Sequence, residues 1–118
     1  MIKINIARDF SDTPGARYYT DGPKSGQEFR ETMLEKYFED PSNNTIVEIE
    51  LDGVEGYGTS FLEESFGGLV RYFGRQRVKS KIILKAEVLT KFKDLSLKYI
   101  ENAQESILDY KTKKSNPT

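Results

Sequence analysis

Three short segments of the chain alternate between apolar and polar residues, and this alternation predicts three β-strands. They are residues 2–6, 45–51 and 81–86. A period of two residues places every second side chain on the same face of a sheet. In the second segment the outward set consists of Glu48 and Glu50, so we expect helices mainly on one face of the sheet.

Apolar residues recur at helical spacing in three further segments. The first begins at residues 25–28, which have the Ser-x-x-Glu pattern of a capping box, and the second begins near Thr59, with the same pattern at residues 60–63. The third covers residues 88–110. Two glycines at 67–68 weaken the second helix, so we expect a close packing contact there to compensate.

The segment between the first strand and the first helix, residues 8–24, is rich in Asp, Pro and Gly. Residues 16–20 are the only part of it that could form a strand, paired as a hairpin through a turn at Pro14 and Gly15. A basic run within residues 71–81 fits a solvated helix end, where cations are favourable. Residues 75–79 of that run are predicted to be a loop.

The predicted order is β(β)αβαβα in one domain, residues 1–110, followed by a flexible basic tail, residues 111–118. Strands that alternate with helices favour parallel pairing through right-handed crossovers. We therefore predict an α/β fold with a mixed, mainly parallel sheet of four or more strands and helices mostly on one face.

Composition removes several classes of function. The 118 residues contain no Cys and no His, which excludes disulfides, thiolate and imidazole metal sites, and catalysis by a cysteine or an imidazole. Lys and Arg number 18 against 19 for Asp and Glu, a net charge of −1, so we expect neither a nucleic-acid nor a membrane partner. We also expect no metal or other cofactor, no enzymatic activity and a cytoplasmic location, and we leave a homo-oligomer open.

The most informative place in the sequence is the loop after the second strand. Here the carboxyl end of a strand meets the start of a helix, where ligands of α/β sheets commonly bind. The hydroxyls of Thr59 and Ser60 stand where helix amides and the helix dipole favour an anion. Ser60 also fits a local N-cap whose partner is Glu63. The loop that supports the two hydroxyls contains Gly53, Gly56, Tyr57 and Gly58.

The same loop has the spacing of a phosphate-binding P-loop, from Gly53 through Gly58 to Ser60. Thr59 occupies the place of the essential lysine, so the contact with the outer phosphates is lost. The alternative to a protein-binding module is a nucleotide- or anion-binding domain that uses residues 53–60, either as an enzyme or for binding alone.

Two arginines are candidates to contact an anion near Thr59. In a parallel sheet the segment that contains Arg17 leaves the carboxyl end of the first strand, on the same edge as the loop before Thr59. Arg30 lies in the helix that follows this segment. The guanidinium group offers paired donors to an anion.

Several short motifs occur in the same order as in a known family. Residues 47–69 (VEIELDGVEGYGTSFLEESFGGL) resemble the central signature of STAS domains, the anti-anti-sigma fold, in which a strand leads to a turn with hydroxyl residues that opens a helix. With residues 25–30 (SGQEFR), the chain more closely resembles the STAS-like family DUF4325, over about residues 2–105.

The resemblance implies a STAS-like fold and a bacterial signalling module that binds a protein partner. In anti-anti-sigma proteins the first hydroxyl of this turn is phosphorylated by a kinase of the histidine-kinase-like ATPase fold, and the unphosphorylated form binds that partner. Thr59 is the matching hydroxyl, and Ser60 follows it. The sequence departs from the family pattern at Gly58, where an acidic residue is usual, and at Phe61, which replaces a glycine.

Overall fold

Three parallel strands form the sheet of this protein, whose structure is a computed structural model that describes residues 1–106. The strands are β1 (Ile2–Asn5), β2 (Val47–Glu50) and β3 (Ile82–Lys85), in the spatial order β1-β2-β3. The register aligns Ile4 with Ile49 and Ile49 with Leu84. The three segments predicted from alternation are therefore confirmed as strands, each over a slightly shorter range.

Helical segments connect these strands. They are α1 (Ile6–Asp9), a 3-10 turn (Tyr19–Asp21), α2 (Gly26–Phe29), α3 (Thr59–Leu62), α4 (Gly68–Phe73), α5 (Arg75–Lys81) and α6 (Thr90–Asn102). α2 continues through a π-helical turn (Arg30–Leu34) into a 3-10 turn (Glu35–Tyr37), and a second π-helical turn (Glu63–Gly67) joins α3 to α4. Gly74 ends α4 with a φ of 94°, which glycine adopts readily.

Burial alternates along the strands, so one face of the sheet is covered. In β2, Val47 and Ile49 are fully buried and Glu48 between them is only half-buried; in β3, Leu84 is buried and Ile83 is exposed. Right-handed crossovers between strands in the order β1-β2-β3 all lie on the same face. The core beneath the helices includes Ile4, Ile6, Phe29, Leu34, Phe38, Leu51, Phe61, Phe66, Leu69 and Val70.

The predicted fourth strand, residues 16–20, is absent from the described part of the chain, and the sheet is parallel rather than mixed. The backbone carbonyls of Ala16 and Arg17 accept hydrogen bonds from the N–H groups of Gly26 and Gln27, both at 2.9 Å. These first donors of α2 have no partner within the helix. Residues 16–17 therefore cap a helix instead of pairing with a strand.

Residues 75–79, predicted to be a loop, belong to α5. Two cations of the basic run bind carbonyl groups of the turn before β2: Arg77 donates to the Asp40 carbonyl and Lys81 to the Asn43 carbonyl, each at 2.7 Å. Polar groups at the end of a helix are commonly satisfied by basic side chains in this way. The basic run thus ties α5 to the chain segment that leads into the central strand.

The predicted third helix is confirmed as α6 over a shorter range than residues 88–110: it begins at Thr90 and ends at Asn102, and residues 103–106 are not helical. The domain boundary at residue 110 and the tail of residues 111–118 lie outside the described residues. Between residues 1 and 106, no helix combines the length and the apolar character needed to cross a membrane.

Candidate functional site

The loop after β2, residues 52–58, is fixed to the start of α6 by Asp52. The Asp52 carboxylate accepts hydrogen bonds from the backbone N–H groups of Glu87 at 2.7 Å and Leu89 at 2.8 Å, with a longer one from Val88 at 3.2 Å. These hydrogen bonds favour the ionised form and lower the pKa of Asp52. The two loops at this edge of the sheet are therefore held together.

Tyr57 anchors the other end of the same loop. Its side chain is buried, and its hydroxyl donates to the Leu51 carbonyl at 2.6 Å. The ring stacks on Phe61, with 5.8 Å between ring centroids, and meets Phe92 edge-on at 5.7 Å. Burial raises the pKa of Tyr57, so its hydroxyl stays protonated and serves as a structural donor.

The three glycines of the loop differ in backbone conformation and in the space around them. Gly53 has a φ of 110°, and a Cβ atom at this position would lie 2.9 Å from the Cβ of Ala7. Gly56 passes over the ring of Phe92, where a Cβ would make an ordinary contact at 3.5 Å. Gly58 has open space around it and is the N-cap residue of α3, with no side chain to cap the helix.

Thr59 is the first residue of α3 and is exposed, and Ser60 is half-buried. The predicted capping box of Ser60 and Glu63 is wrong, because the helix begins one residue before Ser60 and leaves its hydroxyl past the capping position. Among the described residues neither hydroxyl makes a side-chain hydrogen bond with the protein, and the helix start has no side-chain cap. Both hydroxyls are therefore available to react or to bind.

Glu63, one helical turn after Thr59, binds two arginines. Arg71 contacts both of its carboxylate oxygens, at 2.6 and 3.1 Å, and Arg17 contacts one of them at 2.5 Å. Burial alone would raise the pKa of Glu63, but the hydrogen bonds from Arg71 and Arg17 outweigh it and lower the pKa. Arg17 thus has two carboxylate partners, Glu63 and Glu64, in the π-helical turn that follows α3.

Arg30 is buried between α2 and the second π-helical turn, with 1% of its surface exposed. Its guanidinium donates to the Glu35 carboxylate at 2.8 Å, to the Glu64 backbone carbonyl at 2.9 Å and to the Glu64 carboxylate. The anion contacts predicted for Arg17 and Arg30 remain predictions. The burial of Arg30 and its three carboxylate partners, Glu31, Glu35 and Glu64, count against such a contact there.

A family model described as a STAS-like domain of unknown function (DUF4325) matches residues 25–90, more than half of the chain. The chain belongs to the STAS-like DUF4325 family. The match begins at the N-cap residue of α2 and ends at the first residue of α6, so it contains β2, the loop 52–58, α3 and β3. Among curated proteins and solved structures, no match to the chain was found.

In this STAS-like domain an open groove of about 360 Å³ separates the loop 52–58 from the segment after β1. The carboxylates of Asp12 and Glu55 line it and would repel the phosphates of a nucleotide. Within residues 1–106 no group of three or more acidic side chains is arranged to hold a metal ion. The remaining lining residues are Thr13, Pro14, Gly53 and Gly56.

Sequence analysis missed the roles of Asp52, Arg71 and Arg17 in holding the STAS-like site. Asp52 lies just after β2, at the strand end where a loop begins. Arg71 lies eight residues after Glu63, about two helical turns along the same face. Both positions could therefore have been identified from the sequence. The pairing of Arg17 with Glu63 joins residues that are 46 positions apart. Such a contact follows from the tertiary structure and has no local signal.

Proposed function

We propose that this STAS-like domain is a protein-binding regulatory module of a bacterial cytoplasmic signalling system, whose partner-facing surface contains Thr59 and the loop before it. The observation that carries the proposal is the exposed Thr59 hydroxyl at the start of α3, on a loop that Asp52 and Tyr57 hold in place. A fixed loop loses little conformational entropy on binding. In this proposal the partner is a histidine-kinase-like ATPase, as in anti-anti-sigma systems.

The proposed switch is phosphorylation of Thr59. The γ-phosphoryl group of ATP would pass to Oγ1 of Thr59, which loses its proton, while the bond to the β-phosphate oxygen breaks and ADP leaves. The product adds about 1.5–2 negative charges at the first residue of α3. The helix dipole tolerates negative charge there, so the charge would act on partner binding more than on folding.

In this proposal the partner supplies the catalysis and the chain itself is not an enzyme. Its ionisable groups around Thr59 are used in structural contacts: Asp52 binds backbone amides, and Glu63 binds Arg17 and Arg71. The Tyr57 hydroxyl donates to a carbonyl. This arrangement supports a binding module over a catalytic site.

The test is co-purification of the protein with histidine-kinase-like ATPases of the same genome, followed by calorimetry on variants. Thr59→Ala should bind as the unmodified protein does, whereas Thr59→Glu should weaken binding at least tenfold by placing a charge at the contact surface. Thr32→Glu is the matched control, because Thr32 is an exposed threonine on another helix. Equal binding by Thr59→Glu and Thr32→Glu, or no binding to any such ATPase, would reject the proposal.

The alternative is a nucleotide- or anion-binding domain, favoured by the glycine-rich loop that leads into a helix start. Calorimetry with ATP or GTP and magnesium separates the two proposals. We expect no binding above background, because Thr59 stands where the phosphate-binding lysine would be and the adjacent groove is lined by carboxylates. A micromolar Kd would favour the alternative.

A further inference from the structure

Residues 15–24, between β1 and α2, form a loop whose two ends are joined by a hydrogen bond. The N–H of Gly15 donates to the Lys24 carbonyl at 2.7 Å. The carbonyls of Ala16 and Arg17 accept from the first amides of α2, so the loop is also fastened to that helix. Compact surface loops with adjoining ends are frequently functional.

The tip of this loop is fixed as well. The N–H of Tyr18 donates to the Asp21 carboxylate at 2.9 Å. The N–H of Tyr19 donates to the side-chain oxygen of Gln27 at 3.1 Å. These hydrogen bonds come from backbone groups, so they do not account for aromatic side chains at both positions. A loop that is already held in one conformation loses little entropy when it binds a partner.

Both tyrosines at the tip present their surface to solvent. Tyr18 is 47% exposed and Tyr19 is 46% exposed. Tyrosine is enriched at protein interfaces, because a rigid ring gives a large contact area for a small loss of side-chain entropy. Two neighbouring rings with this exposure on a fixed loop are suited to contact another protein.

The surroundings of the two rings are negatively charged. Asp21 is exposed at the tip and bound to the Tyr18 amide. Burial raises the pKa of Tyr19, and the carboxylates of Glu31 and Glu28 raise it further, which places both charges within electrostatic reach of the Tyr19 hydroxyl. A partner that carries a positive charge is therefore favoured at this surface.

The cations next to the loop already have partners. The Arg17 guanidinium, 5.9 Å from the Tyr18 ring centroid, contacts Glu63 at 2.5 Å and Glu64 at 3.4 Å. The Lys24 ammonium lies 5.1 Å from the Phe10 ring centroid and 4.0 Å from Glu28. Neither cation is directed at the Asp21 carboxylate or at the Tyr19 ring.

We propose that Tyr18, Tyr19 and Asp21 form a second protein-binding surface, whose partner is a protein segment with an arginine or lysine side chain. The partner's cation lies on the face of a tyrosine ring and pairs with the Asp21 carboxylate. An aromatic face and a carboxylate both attract a cation. The inference goes beyond the proposed function, because it concerns another surface than the loop before Thr59.

The experiment selects peptides that bind this surface from a phage-displayed library of random dodecapeptides. The bait is the full chain, and phages that bind the variant with both Tyr18→Ala and Tyr19→Ala are removed first. We expect the remaining peptides to be enriched in Arg and Lys relative to the library. Selection of acidic or uncharged peptides, or of none, would overturn the proposal.

Calorimetry then measures the Kd of the most enriched peptide. Asp21→Asn keeps an acceptor for the Tyr18 amide but removes the charge, so it should raise the Kd about two- to fivefold. Asp12→Asn is the matched control, because Asp12 is an exposed aspartate of the same segment after β1, and it should leave the Kd unchanged. Tyr19→Phe keeps the ring face and should bind within about threefold of the unmodified chain.

The same titration is repeated with a peptide in which citrulline replaces arginine and norleucine replaces lysine. These residues keep the shape of the side chain and remove its charge, so binding should weaken by at least about fivefold. Equal Kd values for charged and neutral peptides, or for Asp21→Asn and Asp12→Asn, would contradict the proposed cation contact. This comparison needs no removal step and therefore decides the question even if the double variant does not fold. Because neither measurement uses Thr59 or an ATPase, failure of the proposed function would leave the result standing.

Discussion

The Ser25 hydroxyl accepts a hydrogen bond from the N–H of Glu28 at 3.0 Å and so satisfies one of the first donors of α2. The Glu28 carboxylate reaches back to the N–H of Lys24, also at 3.0 Å. Together with the carbonyls of Ala16 and Arg17, these groups satisfy the start of this helix. The start of α3 has no side-chain cap of this kind, and the hydroxyls of Thr59 and Ser60 make no hydrogen bonds within the described part of the chain.

This difference predicts the stability of two matched serine variants. Ser25→Ala should lower the free energy of unfolding by about 0.5–2 kcal/mol, because a buried N-cap loses its acceptor. Ser60→Ala should change it by less than about 0.5 kcal/mol, because Ser60 caps nothing. Urea unfolding of both variants measures the two values. A loss for Ser60→Ala as large as that for Ser25→Ala would mean that Ser60 caps α3 in solution.

Asp52 makes stability depend on pH at the same edge of the sheet. Its pKa is lowered in the folded protein by the amides of Glu87 and Leu89. A carboxyl group with a lowered folded pKa stabilises the fold above its unfolded pKa of about 3.9, and this contribution is lost as the pH falls through the folded value.

We therefore expect the stability of the unmodified protein to fall more steeply below about pH 4 than that of Asp52→Asn. The asparagine side chain keeps a neutral acceptor for the amides and does not titrate. Urea unfolding at a series of pH values between neutral and acid measures both curves. Parallel curves would show that the Asp52 carboxylate does not hold the two loops together in solution.

At the scale of helices, Gly68 lets α2 approach the joined helix of α3 and α4. A Cβ atom on Gly68 would lie 2.5 Å from an Arg30 nitrogen, and Arg30 is buried and bound to Glu35 and Glu64. A Cβ on the neighbouring Gly67 would meet the carboxylate of Glu63 instead. That carboxylate is the end of a half-buried side chain and has more room to move.

Gly68→Ala should therefore destabilise the protein by about 1–3 kcal/mol through overpacking, although alanine favours a helix by about 1 kcal/mol over glycine. Gly67→Ala should cost less, because the Glu63 side chain that has to shift is 21% exposed, whereas the Arg30 side chain is 1% exposed. Thermal and urea unfolding of the two variants provide the comparison. If Gly68→Ala were stabilising, Arg30 would not be fixed where the structure places it.

The helices also show which features a sequence reveals. The helical spacing of apolar residues predicted the start of α3 near Thr59, because it depends on neighbouring residues. The same spacing treats Arg30 as an ordinary polar position. Its burial depends on Glu64, which is 34 residues away, so no local pattern identifies it.

At the scale of the whole molecule, the segment after β1 was the hardest part to predict. Residues 16–20 have the composition of a short strand, but the carbonyls of Ala16 and Arg17 accept hydrogen bonds from the first amides of α2, and the Arg17 side chain binds Glu63. The choice between a strand and a cap is decided by the position of two helices. The candidate site has the same limit: the position of Thr59 at the start of a helix could be predicted from the sequence, whereas the pairing of Arg17 with Glu63 could not.

The sheet is unusual because parallel sheets are commonly covered on both faces, whereas here the outward face carries half-buried and exposed side chains. In successive rows it presents Lys3, Glu48 and Ile83, then Asn5, Glu50 and Lys85. The charged residues keep this face compatible with water. The edge strands β1 and β3 are short, with four residues each, and both carry lysine, which opposes pairing with another sheet.

Neighbouring residues of β3 test whether the outward face is open in solution. Leu84 is 5% exposed and Ile83 is 38% exposed, so Leu84→Ala should cost about 2–5 kcal/mol of unfolding free energy. Ile83→Ala should cost less than about 1 kcal/mol, since more than a third of this residue is already in contact with water. Urea unfolding at two protein concentrations measures both. If Ile83→Ala cost nearly as much as Leu84→Ala, and the cost grew with protein concentration, a second copy of the chain would cover this face. Contacts made within one chain would not depend on protein concentration.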